Sequence, residues 1–171
     1  TVYEDSPDEH TVAVDPEMLG HIFENLLEDN KDKGAFYTPK EIVHYMCRES
    51  LIEYLYTKLN PQLSETGGSL SPGEGRGEVA RTAIEKLVQQ HEAADIIEYD
   101  EAILKALKDV KICDPAIGSG AFPMSLLMEI FHLVETLYDA SPDVTEKIWE
   151  LKKGWNPAQV KESIIQNSIY V

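Results

Sequence analysis

Val110-Lys111-Ile112-Cys113-Asp114-Pro115-Ala116-Ile117-Gly118-Ser119-Gly120-Ala121-Phe122-Pro123 is the stretch on which the reading of this chain turns. It predicts a short strand, an acidic residue, a glycine turn and the start of a long apolar helix. Val110, Ile112 and Cys113 suit a covered, pleated strand. Gly118 and Gly120 permit positive φ and let a ligand approach the backbone closely. The helix that follows presents N–H groups with no intrahelical partner, a seat for a polar or anionic ligand edge. Asp114 stands at the strand's carboxyl end, where ligands bind in open α/β sheets.

Working outward, Leu126, Leu127, Ile130, Phe131, Val134 and Leu137 keep helical spacing. This predicts the crossover helix that a parallel strand requires. Ser141-Pro142 caps a further helix ended by Gly154. Asn156-Pro157 starts a last one with Val160, Ile164 and Ile165 inward, and Ile169-Tyr170-Val171 opens a second strand. Upstream, Asp100 caps a short helix with Ile103, Leu104 and Leu107 inward. Val79, Ala80, Ala83, Ile84, Leu87 and Val88 make another amphipathic helix, ending near Ala94.

Residues 61–78 are rich in Gly, Ser and Pro, including Gly73-Glu74-Gly75-Arg76-Gly77. They follow no strand and match neither dinucleotide nor P-loop spacing, so they predict a flexible linker. Thr38-Pro39-Lys40-Glu41 reads as a capping box opening a helix to about Leu59, where Asn60-Pro61 stops it. Asn30 to Phe36 is a polar link hinged at Gly34. Asp15-Pro16 starts a helix with Leu19, Ile22, Phe23, Leu26 and Leu27 on one stripe. Thr11 to Val14 is a candidate short strand, and residues 1–10 a loose lead-in.

The 171 residues suit one domain or a piece of a larger one. Hydrophobic content of 43% and charged content of 27% describe an ordinary globular protein. No run is long enough for a membrane span, and no signal peptide is visible, so the expected setting is cytoplasmic. Cys47 and Cys113 read as buried thiols rather than a bridged or metal-holding pair. The net charge of −16 opposes a phosphate backbone, so DNA is not expected to bind this segment itself. His10, His21, His44, His91 and His132 show no metal spacing and read as surface or packing residues. The acidic residues read as solvated helix faces. Gly118-Ser119-Gly120 lacks the spacing of a serine nucleophile elbow. Pro123 stands where a dinucleotide fingerprint would place a third glycine.

Asp114-Pro115-Ala116-Ile117-Gly118-Ser119-Gly120-Ala121-Phe122 resembles the first motif of S-adenosylmethionine-dependent DNA adenine methyltransferases. The wording is closest to type II restriction–modification enzymes of the IIS/IIG kind, which fuse a methyltransferase with a nuclease. Gly34-Ala35-Phe36-Tyr37-Thr38-Pro39-Lys40-Glu41-Ile42-Val43 resembles the segment that precedes that motif and closes over the cofactor's methionine part. The resemblance implies a Rossmann-like α/β methyltransferase, truncated. Residues 1–60 would be an N-terminal helical region with a cofactor lid at 34–43. Residues 61–78 would be the linker, and 79–171 helices plus the first strand–turn–helix unit of an incomplete sheet.

It further implies that Gly118, Ser119 and Gly120 line S-adenosylmethionine through backbone contacts, flanked by Pro115, Ala116 and Phe122. Asp114 would orient the turn or meet the methionine amino group, and Phe36, Tyr37, Thr38 and Pro39 would cover the amino-acid end. The family's catalytic Asn/Asp-Pro-Pro-aromatic motif has no counterpart here. Asn60-Pro61-Gln62 and Asn156-Pro157-Ala158 both lack the second proline and the aromatic. The residues that would grip a flipped adenine are therefore missing, and this portion alone is expected to be inactive. DNA would be bound by other parts of a bacterial or archaeal polypeptide, and magnesium needed only if a nuclease domain exists elsewhere. Two other readings stay open: the modification subunit of a multi-subunit restriction system, and a helical protein-interaction module without cofactor.

Overall fold

A strand-ending aspartate, a glycine turn and an apolar helix do follow one another, and most of the other elements pack around that helix. The computed structural model describes residues 2–3, 12–13, 18, 22, 38–65, 75–152 and 154–170, with side chains left undescribed at 2–3, 12–13, 60–65 and 75–78. Strands β1 (Val2–Tyr3) and β2 (Val12–Ala13) pair antiparallel. The candidate strand near Val12 thus finds its partner within what reads in sequence as a loose lead-in. Helix α1 (Lys40–Glu65) is followed by α2 (Gly75–Gln90), a 3-10 turn (Ala94–Tyr99) and α3 (Asp100–Asp109). Then come β3 (Ile112–Cys113), α4 (Ala121–Ala140), α5 (Pro142–Trp149), α6 (Pro157–Ser168) and β4 (Ile169–Tyr170). β3 pairs parallel with β4, Ile112 opposite Ile169 and Cys113 opposite Tyr170.

Among the described residues the core is one cluster drawn from helices α1 to α6. Leu55, Ile84, Leu87, Ile103, Leu104, Leu107, Ile130, Leu133, Leu137 and Ile164 are among its fully buried side chains. Burying each such side chain is worth about 1.5–3 kcal/mol, so helix-on-helix packing dominates stability over a two-residue sheet. Among the described residues no helix is long and apolar enough to cross a membrane.

Several expectations are corrected. The first helix does not stop at Asn60-Pro61: α1 continues to Glu65. A proline interrupts one backbone hydrogen bond of a helix without forbidding its continuation. Gly75-Arg76-Gly77 opens α2 rather than closing the 61–78 linker; residues 66–74 lie outside the described residues. Pro39, not Thr38, holds the cap position of α1, since its carbonyl accepts from Ile42 and Val43, both at 3.0 Å. α3 begins at Asp100 itself, whose Oδ1 takes the Glu101 N–H at 2.5 Å. α5 ends at Trp149 with Glu150 left-handed at φ 56°, four residues before Gly154. Asn156 does cap α6, accepting from the Gln159 N–H at 3.1 Å.

Val79 and Ile165 face outward, 71% and 52% exposed. Adjacent helical positions diverge by roughly 100°, so Ile165 cannot share the face that buries Ile164. Cys113 is also exposed while Cys47 is buried, both as free thiols. Val110 and Ile112 lie on the covered face of the pleat, and Cys113 points the other way. On the proposed 16–27 helix, Met18 and Ile22 are helical but half exposed; Leu19, Phe23, Leu26 and Leu27 lie outside the described residues.

Candidate functional site

At the carboxyl end of β3 the backbone N–H of Asp114 donates to the Tyr170 carbonyl at 3.1 Å, extending the parallel ladder by one bond. The Asp114 side chain then turns back, Oδ1 accepting the Ala116 N–H at 3.1 Å. This braces the turn, as short acidic side chains do at chain reversals. Gly118 and Gly120 take φ of 56° and 83°. The Gly120 N–H closes a bond to the Ile117 carbonyl at 2.9 Å, and its own carbonyl receives the Met124 N–H at 3.0 Å as α4 begins.

A Cβ at Gly120 would meet nothing within 4 Å, so its glycine is required by backbone conformation while the space beside it stays open. Pro123 carries no N–H, which leaves Ala121 and Phe122 as the donors of the first α4 turn. Pro115, Ala116, Ile117 and Gly118 are exposed, and Asp114, Ser119, Gly120 and Phe122 half-buried. An open glycine cradle above a helix N-terminus fits the carboxylate or hydroxyl edge of a small ligand.

Thr38 is half-buried and Pro39 exposed at the start of α1, while Phe36 and Tyr37 lie outside the described residues. The first turns of α1 pack on the first turns of α4: the Cys47 thiol donates to the Phe122 carbonyl at 3.8 Å, a weak sulfur hydrogen bond. His44 Nδ1 lies 3.3 Å from Ser125 Oγ. Burial pushes the Cys47 thiol's pKa up, Glu129 adds to the rise and the Ser125 hydroxyl opposes it.

Sequence reasoning misses Glu129. Its pattern places it with the solvated acids, yet it is 2% exposed on the inner face of α4. Its Oε1 pairs with His44 Nδ1 at 3.1 Å and accepts from Arg48 Nε at 3.0 Å. A signal is present: His44 and Arg48 are four apart on α1, as are Ser125 and Glu129 on α4, placing each polar pair on one helical face. Close by, the His91 and His132 rings meet edge to face, 5.8 Å between centroids. An open cleft of about 570 Å³ is lined by Glu41, His44, Tyr45, Arg48, Glu49 and Gln89. No residue of the glycine turn lines it, so it is a separate feature of the α1–α2 surface.

No family model matches the chain, and no solved structure matches it. Over 165 residues the chain is 24% identical to a protein of Methanocaldococcus jannaschii, named as a candidate type II restriction enzyme and methyltransferase. The match takes in 93% of this chain and 12% of that protein's length. The chain is thus a distant relative of a restriction–modification protein and spans about an eighth of it.

Proposed function

We propose that this chain is the cofactor-binding portion of a restriction–modification enzyme that transfers a methyl group from S-adenosylmethionine to the amino group of adenine in DNA. The observation that carries the reading is the Asp114–Gly120 turn, with two positive-φ glycines between a parallel strand and the free N–H groups of α4. The distant relative's name agrees with it at the level of restriction and methylation. In this reading the β3–β4 pair is the start of a Rossmann-like sheet.

Gly118, Ser119 and Gly120 would present their backbone to the cofactor, with Pro115, Ala116 and Phe122 at its flanks. Asp114, its Oδ1 engaged by Ala116, would meet the methionine amino group through its other oxygen. Phe36, Tyr37, Thr38 and Pro39 would cover the amino-acid end. The cofactor supplies an electrophilic methyl on a sulfonium; what the chain supplies is position. With 31 acidic and 15 basic residues, this portion would leave DNA contact to other parts of the polypeptide.

The test is calorimetry of the full-length protein with S-adenosylmethionine, followed by transfer of labelled methyl into duplex DNA. Saturable binding and label recovered as N6-methyladenine are expected. Label in cytosine would overturn the adenine assignment, and absence of binding the whole reading.

A further inference from the structure

We infer that Glu129 is a positioning residue for the cofactor site, clamping the helix that Thr38-Pro39 leads into against the helix that the glycine turn opens. This rests on the cofactor reading above. Glu129 sits about two turns into α4. It is reached from α1 by His44 and Arg48, which begin only about one and a half turns after Pro39. His44, Cys47 and Arg48 occupy one face of α1, and Phe122, Ser125 and Glu129 the facing side of α4. Moving α1 along or about its axis therefore moves Thr38 and Pro39 relative to Gly118–Gly120.

Stability does not explain this arrangement. A buried ion pair is commonly no better than apolar side chains of the same volume. Here the burial is also incompletely compensated, because Glu129 Oε2 is enclosed with no hydrogen-bond partner. Both helices already share an apolar core through Leu51, Leu55, Leu127 and Ile130, which would hold them together unaided. Apolar contacts tolerate sliding, whereas hydrogen bonds to one carboxylate oxygen have defined directions. A proton on His44 Nδ1 is needed for the carboxylate, so the Ser125 hydroxyl shares that proton as an acceptor and further narrows the imidazole's orientation. What the network adds is register.

Full-length protein carrying Glu129→Leu or Glu129→Gln tests this through two readouts: S-adenosylmethionine affinity by calorimetry, and the melting temperature without ligand. Partners that only orient metal-binding groups are worth about 10–100-fold in affinity, and the same order is expected for a residue that only orients this site. Glu129→Leu is expected to weaken binding by that order with a melting temperature unchanged or raised. Glu129→Gln, which keeps shape and one acceptor, should fall between it and the parent. Hydrogen exchange should show ligand protection of residues 38–43 in the parent and its loss in Glu129→Leu. Should Glu129→Leu not fold, Glu129→Gln carries the same comparison. If these variants bind as the parent does, the inference is wrong while the cofactor reading stands. It is equally wrong if their loss only tracks melting temperature, as in a core variant such as Leu55→Ala. If the parent binds no S-adenosylmethionine, the cofactor reading fails and takes the inference with it.

Discussion

From Leu51 onward α1 buries Leu51, Ile52, Leu55 and Leu59 in the common core, while its first turns meet α4 through His44, Cys47 and Arg48. The first contact is non-directional and gains free energy with every apolar area covered. The second costs the desolvation of a carboxylate that an aliphatic side chain could replace. One helix thus divides two tasks, holding the fold at one end and setting geometry beside the glycine turn at the other.

Leu55→Ala should sharpen that contrast most. It removes a fully buried side chain and is expected to cost about 2–5 kcal/mol in urea unfolding, with little change in ligand affinity beyond that of lost protein. Next comes the asymmetry of the polar half. Arg48→Met leaves the Glu129 carboxylate buried with His44 as its remaining partner, an expected loss of about 1–3 kcal/mol. Glu129→Leu leaves the His44 and Arg48 side chains, each 36% exposed and able to turn to water, so it should cost less than Arg48→Met. The opposite order in urea midpoints would mean that the carboxylate is not the enclosed partner.

Gly120→Ala should cost about 1 kcal/mol, the penalty of a left-handed non-glycine backbone, because its methyl meets no neighbour. A much larger loss would show that the turn is packed rather than open.

The smallest expected effect is a pH slope from His91. Burial pushes its pKa below the ordinary 6.5, the nearby His132 and Arg48 lower it further, and Glu129 and Glu135 oppose. Its Nδ1 is enclosed without a partner. The unfolded chain then takes up the proton more readily than the folded one. The contribution of His91 is present above pH about 6.5 and is lost as pH falls from there through the lower pKa of the folded state. Urea midpoints should decline between about pH 7.5 and about pH 5.5. His91→Asn, tolerant of the left-handed φ of 56°, should flatten the decline.

Apolar and polar contacts are unequally legible in the amino-acid order. Burial of Ile84 and Leu87 of α2, Ile103, Leu104 and Leu107 of α3, and Ile130, Val134 and Leu137 of α4 follows from spacing alone, while for α1 the sequence reading gives a helix to about Leu59 without naming its buried face. The parallel pairing of Ile112 with Ile169 agrees with two short apolar runs separated by helices. The polar half is hidden because its partners are 81 and 85 residues apart, and each looks like an ordinary surface residue on its own helix. Helix ends are misplaced where local chemistry and packing compete, as at Pro61 and Gly154. The geometry of the Asp114–Gly120 turn is readable residue by residue, since glycine's φ range and aspartate's short side chain are local properties.

Local chemistry therefore determined the helices, the two-glycine turn, the β3 and β4 segments and the acid excess, because periodicity, backbone permission and charge are carried by neighbouring residues. Tertiary structure alone decided that Glu129 lies inside, that Cys113 lies outside, and that the first turns of α1 rest on those of α4. Whether a polar side chain is enclosed depends on which distant helix covers it, and that is settled only when the chain closes on itself.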